Sequence, residues 1–314
     1  RRLIDEKRLT PKILYRLQTQ LLDAMDYIQE NHIIHHPITP ETIIFTEYTE
    51  NLKLIDVVVE LVDARAPLAT RNPDFDALFS QKSRVILLNK SDLASAEQTK
   101  KWIEYYKAQN INAIAFVSTS SAKRKAAVSL IEAAAADKVA KMKEKGVIKT
   151  VRAMVVGIPN VGKSTFINRI AGETKAKVGD KPGVTKGKQW VKVSPYLELM
   201  DTPGLLWPKL ENEALAKHLA YIGSINDDIM DAERLAADLL GELIAICPNE
   251  LKERYKKIEE GMAPHELLEA VARSRGFILQ GGVMDKERAA RIVLDEFRAG
   301  RIAKITLESP DKEY

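Results

Sequence analysis

Eight residues in the middle of the chain, Gly157-Ile158-Pro159-Asn160-Val161-Gly162-Lys163-Ser164, have the spacing Gly-x-x-x-x-Gly-Lys-Ser. Small residues at the two ends let successive backbone N–H groups curl around phosphate oxygens, and the helix opened at Lys163 adds favourable field at its N-terminus. Lys163 would neutralise the terminal phosphates and Ser164 would hold magnesium through its hydroxyl, with Val161, Gly162 and Thr165 completing the cradle. A second run, Asn89-Lys90-Ser91-Asp92, carries different chemistry. The two carboxylate oxygens of Asp92 can accept the N1 and N2 protons that guanine has and adenine lacks. Asn89 would contact the base edge and brace the phosphate loop, while the Lys90 stem packs on the ring face. In Ser121-Ala122-Lys123 the backbone N–H of Ala122 would reach the exocyclic oxygen of the base.

Two further motifs complete the set. Asp201-Thr202-Pro203-Gly204 ends an apolar run, so Asp201 is the candidate for water-mediated magnesium contact and Gly204 for a backbone N–H to the γ-phosphate. In Pro182-Gly183-Val184-Thr185, Thr185 would close a first switch over the metal; its plain alternative is a cap on a turn. Leu205 stands where a Ras-type enzyme carries a water-orienting Gln. An apolar side chain cannot polarise water, so hydrolysis needs another group or a partner. Asn160 resembles the Asn that potassium-stimulated GTPases of this broad class carry in the phosphate loop, which implies a candidate potassium ligand; a loop-stabilising hydrogen bond is an equal reading. These are the guanine-nucleotide motifs of a small GTPase in an altered order, because the base readers precede the phosphate loop. The chain is therefore expected to be circularly permuted.

Such loops must be positioned by strands and helices. The apolar runs Leu52 to Val62, Arg84 to Leu88, Ala113 to Val117, Ala153 to Val156 and Leu197 to Met200 predict strands buried on both faces. Helical stretches such as Ser95 to Gln109 and Ala126 to Glu144 separate them. The expected fold is α/β, a circularly permuted P-loop GTPase with a mainly parallel sheet covered by helices, over residues 52–208. The Ala- and Lys-rich stretch to Lys145 supplies the link that a permutation needs. After Pro208 the pattern is mostly helical through Phe297, with breaks at Pro248 and Gly281-Gly282, which predicts a helical C-terminal domain over residues 209–314.

Charge is unevenly spread although the formal net is only +4. Lys138 to Lys192 hold fourteen Lys or Arg against three acids, whereas the residues from Lys209 onward hold sixteen against twenty-one. A surplus of that size favours a phosphate-rich partner over a merely solvated face. Arg273 to Lys304 carry eight basic residues against four acids, and Arg288, Arg291 and Arg298 are expected on an RNA-facing edge. No apolar run approaches the roughly 20 residues of a membrane span. A cytoplasmic protein without membrane contact is expected. The single Cys247 excludes an internal disulfide framework.

Residues 1–51 have their own pattern. The stretch Asn31 to Phe45, after a helix with apolar residues from Ile13 to Ile28, resembles a protein-kinase catalytic loop, and Leu54-Ile55-Asp56 would align with the magnesium motif of that family. His36, Pro37, Thr39 and Thr42 stand where that chemistry needs Arg, Asp, Lys and Asn, so kinase catalysis is excluded. A pseudokinase fragment, a fusion remnant or a chance match remain, with the fusion favoured because the similarity ends abruptly at the next domain.

From about Leu52 onward, the motif order together with Asp63-Ala64-Arg65-Ala66-Pro67, Arg71-Asn72-Pro73 and Asp201 to Pro208 resembles the circularly permuted ribosome-assembly GTPases of the YlqF/RbgA type. The resemblance implies GTP/GDP and Mg2+ as ligands, association with a late precursor of the large ribosomal subunit, and ribosome-stimulated hydrolysis. It also implies ribosomal RNA contact by the C-terminal domain and an apolar residue in place of the catalytic Gln. Members begin with a Trp-Phe-Pro-Gly-His-Met segment whose His aids hydrolysis. No residue here takes its place, so turnover is expected to be slow. The competing reading is a nucleotide-switched scaffold or pseudoenzyme whose N-terminal segment supplies partner binding.

Overall fold

The seven residues after Asp56, four of them Val, form the central strand β1 (Val57–Asp63), buried throughout. Parallel neighbours flank it, β2 (Ser83–Asn89) on one side and β4 (Val151–Val156) on the other, with Asp63 opposite Asn89 and Val57 opposite both Ser83 and Ala153. With β3 (Asn112–Ala115), β5 (Gln189–Ser194) and β6 (Leu197–Asp201), the strand order is β3-β2-β1-β4-β6-β5. All neighbours are parallel except β5 and β6. This is a computed structural model, and it describes residues 51–172, 189–202, 204, 212–225, 231–312 and 314. The kinase-like stretch up to Phe45 lies outside them.

Two differences from the expected strands have physical reasons. The first strand starts at Val57, not Leu52, because Asp56 accepts the Arg152 N–H at 3.0 Å and pairs with Lys138 and Lys149, anchoring a turn below the sheet. Asp56 is thus a structural anchor, and its match to a kinase metal motif has no counterpart in its contacts. The antiparallel edge strand β5 was not among the expected strands. It forms a tight hairpin with β6 around Pro195 and Tyr196, and Arg152 stacks over its Trp190 at 5.4 Å.

Helices cover the sheet: α1 (Asp74–Leu78), α2 (Ala96–Ala108), α3 (Arg124–Ala134), α4 (Ala136–Glu144) and α5 (Lys163–Ala171). Ser95 caps α2 by accepting the Gln98 N–H. The expected helix Ala126 to Glu144 is broken at Ala135, giving α3 and α4. Beyond the sheet come α6 (Glu213–Tyr221), α7 (Ala232–Ile246), α8 (Pro248–Arg254), α9 (Pro264–Arg275) and α10 (Lys286–Arg298). Asn212, Asp231 and Asp285 each cap the helix that follows, and Pro248 opens α8 where no N–H is needed.

The helical region shares its core with the sheet. Leu219, Leu239, Val293, Phe297 and Leu307 belong to the same buried cluster as Val59, Leu87, Ile158 and Phe166. After α10 the chain turns back: the Leu307 N–H donates to the Arg65 carbonyl at 2.7 Å and the Thr306 hydroxyl to the Ala64 carbonyl at 3.0 Å. Glu308, fully buried, accepts the backbone N–H groups of Leu68 and Ala69 and faces His218 Nδ1 at 2.8 Å. The other ring nitrogen of His218 faces Glu242 at 3.1 Å.

With a carboxylate at each nitrogen, His218 is held as the imidazolium. Burial alone lowers its pKa, but Glu242 and Glu308 outweigh that and raise it from 6.5 to about 9. A histidine whose folded pKa is raised contributes stability that is fully present below its unfolded pKa and is lost as pH rises through the folded one. The stability measured by urea unfolding is therefore expected to fall as pH rises from neutral to about pH 9. His218→Gln should remove most of that slope. An identical pH profile for the variant would show that the clasp carries no charge.

Candidate functional site

The phosphate loop follows β4 directly. Gly162 adopts φ 98°, a left-handed conformation, and a Cβ there would lie 2.5 Å from Asn89 Nδ2, so only glycine lets the two loops meet. At this contact the Asn89 amide spans three segments. Its Nδ2 donates to the Val161 carbonyl at 2.7 Å, while its Oδ1 accepts the Ser118 N–H at 3.0 Å and the Ser118 hydroxyl at 2.9 Å. Asn89 is buried, and one amide ties the end of β2 to the phosphate loop and to the segment leading to Ser121 and Ala122.

Lys90 and Asp92 extend from the same turn. Lys90 has φ 56°, and its ammonium donates to the Asn160 carbonyl at 2.9 Å while lying 3.0 Å from Asp63. Ser91 donates through both its backbone N–H and its hydroxyl to the Phe116 carbonyl, which ties the turn to the exit of β3. Asp92, Ser121 and Ala122 are exposed, and the Ala122 N–H donates to the Ser120 hydroxyl oxygen at 3.2 Å. Arg169, from α5, donates to the Ser118 and Thr119 carbonyls and so braces the segment before Ser121 against the helix of the phosphate loop.

At the other end of the site, Lys163 is buried and donates to the Gly157 and Ile158 carbonyls at 3.0 and 2.8 Å. The Ser164 hydroxyl donates to the Asp201 carboxylate at 3.1 Å. Thr202 donates to the Val155 carbonyl at 2.6 Å, which holds Asp201 at the end of β6 beside the phosphate loop. A Cβ on Gly204 would come within 2.9 Å of Lys163 Nζ, so the backbone at Gly204 closes directly over the lysine. Hydroxyl and carboxylate are the hard oxygen donors that magnesium takes alongside nucleotide phosphates. Thr165 sits on the same first turn of α5 and is partly exposed. Thr185 and Leu205 lie outside the described residues.

Asn160, also at positive φ, uses its side chain in a way that was one of two readings of the sequence: Nδ2 donates to the Gly223 carbonyl, just past α6, at 2.7 Å. Asp63 and Arg65 were visible in the sequence only as part of a family signature. Both are buried, with Arg65 holding Asp63 in a two-pronged pair at 2.9 and 2.7 Å. Burial pushes the Asp63 carboxyl up, but Arg65 and Lys90 outweigh that and hold it well below the usual carboxylate range. A cavity of about 950 Å³ lies elsewhere, lined by His218, Glu242, Cys247, Thr306 and Tyr314, and no residue of the four loops above lines it.

Comparison with known proteins agrees with this geometry. A family described as 50S ribosome-binding GTPase matches residues 152–266. The ribosome biogenesis GTPase A of Priestia megaterium is 44% identical over 268 residues, which cover 85% of this chain and 93% of that protein. The chain belongs to the ribosome biogenesis GTPase A (YlqF/RbgA) family. Its Thermotoga maritima member is 35% identical over 83% of this chain and 88% of its own. Among solved structures, GDP-bound YlqF superposes with a TM-score of 0.63 at 30% identity, covering 85% of this chain and all of the other. GNP-bound YlqF from T. maritima gives 0.60 at 31%, covering 85% and 98%. The chain is a GTPase that binds GTP and GDP, as its family does.

Burial lowers the Lys163 pKa from 10.5 to about 8, with Asp201 opposing only in part. A polyphosphate beside it favours the ammonium, so binding above that pH must take up a proton. Titration calorimetry in buffers of different ionisation heat should show more proton uptake per nucleotide at pH 8.5 than at pH 7. Equal proton counts at the two pH values would place the lysine pKa elsewhere.

Proposed function

We propose that this GTPase acts in late assembly of the large ribosomal subunit, binding precursor particles in a nucleotide-dependent way, with residues 52–208 as the nucleotide domain and residues 209–314 as the helical arm that touches RNA. The observation that carries the nucleotide half of this reading is the Asn89 amide, which joins base-reading and phosphate-holding loops at one point. Support for the ribosomal half comes from relatives named ribosome biogenesis GTPase A at 44% and 42% identity over 85% of the chain.

In this reading Asp92 selects guanine, Lys90 covers the ring, and the Ala122 N–H turns from Ser120 to the base oxygen. Lys163 and the N–H groups of Val161, Gly162, Lys163, Ser164 and Thr165 hold the phosphates. Magnesium, when bound, supplies charge neutralisation across the terminal phosphates. Ser164 would hold it directly, Asp201 through water, and Thr185 from the first switch. The Gly204 N–H meets the γ-phosphate. Asn160 gives its amide N–H to Gly223, which leaves its side-chain oxygen for a potassium ion. Because phosphoryl transfer is mainly positioning and charge neutralisation, and Leu205 cannot orient water, turnover is slow until the ribosome completes the site.

Two tests follow. Asp92→Asn removes an acceptor from the base edge at a cost of roughly 1–3 kcal/mol and should let xanthine nucleotides compete. Unchanged GTP affinity in a fluorescent-nucleotide titration counts against the assignment.

The RNA-facing edge needs a different set of side chains from the expected one. Arg298 is partly buried and its guanidinium is engaged with backbone carbonyls, so it is not a free surface charge. Arg273, Arg288 and Arg291 are exposed, with Arg288 stacked over Phe277 at 4.3 Å, and beside them stands the exposed turn Ile278, Leu279 and Val283. Sedimentation with large-subunit precursors should show tighter binding with a non-hydrolysable GTP analogue than with GDP, and weakening by salt. The Arg273, Arg288 and Arg291 to Glu triple variant should lose most of its occupancy. Ribosome-independent turnover with equal occupancy in both nucleotide states would favour the scaffold reading.

A further inference from the structure

The last four carbonyls of any helix have no partner within it, and they carry the negative end of the helix dipole. Two arginines use such carbonyls in series. Arg65, on the loop after β1, donates through NH1 to the Arg298 carbonyl at the end of α10, at 3.1 Å. Arg298 itself donates through Nε to the Tyr221 carbonyl at 2.9 Å and through NH2 to the Ala220 carbonyl at 2.8 Å, at the end of α6. Two residues on, the Gly223 carbonyl accepts from Asn160 of the phosphate loop at 2.7 Å. The Asn160 carbonyl accepts from Lys90 at 2.9 Å, Lys90 meets Asp63 at 3.0 Å, and Asp63 holds Arg65. The path closes on itself.

This ring runs through both the base-reading turn and the phosphate loop, yet part of its circumference is the helical region. A carbonyl can only accept, so Gly223 fixes which way round the Asn160 amide lies. Besides the Asn89 amide, the Asn160 loop that Lys90 holds is thus also tied to the end of α6 and, through Arg298, to α10.

We propose that Arg298 is a positioning residue for the nucleotide site: by seating the end of α6 against α10 it holds Gly223, and through it the Asn160 loop, in the place where Lys90 and the phosphate loop can grip one nucleotide together. The inference rests on the assignment of these loops as the guanine-nucleotide site. It implies that any partner that parts α10 from α6 loosens bound nucleotide. By linkage, nucleotide binding tightens the seating of the two helices.

The test compares two variants on the same helix. Arg298→Met keeps the aliphatic stem and removes the donors. Glu296→Gln disturbs the pairs of Glu296 with Arg254 and Arg275, which lie off the ring. Dissociation of a fluorescent GDP analogue should speed up roughly tenfold in Arg298→Met, as expected for losing charged hydrogen bonds that hold the loop. It should stay within about twofold of the parent chain in Glu296→Gln at a comparable loss of thermal midpoint, and Arg298→Lys should recover part of the difference. Hydrogen exchange should show GDP protecting residues 220–225 in the parent chain and not in Arg298→Met. If the parent chain binds no guanine nucleotide, the site assignment itself fails. If it binds and both variants release GDP at the same rate, or Arg298→Met releases it at the parent rate, Arg298 is merely structural and the proposal is overturned.

Discussion

One buried amide sets the geometry on which the nucleotide loops depend. Asn89 must give a proton to Val161 and accept two from Ser118 at the same time. Asp of the same size has no donor for the Val161 carbonyl, and a hydroxyl is too short to reach both sides, so the residue type follows from the contact. The constraint is sharper because the chain is permuted. The base-reading half (β1, β2, β3) and the phosphate half (β4, β6) are linked in sequence through α3 and α4, away from the loops that must act together. Their registry comes from the β1–β4 pairing in the middle of the sheet and from this amide at its edge.

The same permutation explains why the helical region is built onto the nucleotide domain rather than tethered to it. The end of β6 leads from Asp201 past Gly204 toward α6, and the final segment returns from α10 to the loop after β1. Helical and sheet residues share one apolar cluster, and that non-directional burial supplies most of the cohesion. The ion pairs and carbonyl caps do something else. Burying charge costs about what pairing returns, so groups such as Asp63 with Arg65, or His218 between Glu242 and Glu308, fix one arrangement out of many similarly packed ones.

How much of this could be read from the sequence depends on the kind of constraint. The phosphate loop after β4 and the Asn89 turn after β2 were legible as loops at strand ends, because backbone geometry leaves few residue types for each, and the structure brings the two together at Asn89 and Val161. Five of the strands were legible as apolar runs. Strand β5 was not, because Gln189 to Ser194 mix polar and apolar residues on an edge, where one face stays wet; its Trp190 and alternating Val191 and Val193 were the available signal. The breaks at Val57 and Ala135 depend on tertiary partners. Arg298 was misread for a related reason: in a basic stretch it looks like surface charge, and its partners at Ala220 and Tyr221 are 78 and 77 residues away. Arg65 was legible as part of a signature but its task was not, since its partner carbonyl is 233 residues distant.

Among the described residues, two of the polar attachments between the helical region and the nucleotide domain differ in chemistry. The Glu308 clasp titrates, because its counter-charge is an imidazolium with a pKa near 9. The arginine ring is insensitive to pH near neutrality, because guanidinium stays charged, the helix-end acceptors are neutral carbonyls, and Arg65 and Lys90 hold the Asp63 carboxyl well below the usual carboxylate range. A coupling meant to respond to nucleotide and not to pH belongs on the second. It also belongs near Asn160, where the loop sits in left-handed backbone and a small displacement of Gly223 moves the carbonyl that Lys90 holds. Coupling free energy has no preferred direction. Whatever the nucleotide does to the seating of α6 against α10, a partner bound to those helices does in equal measure to the nucleotide.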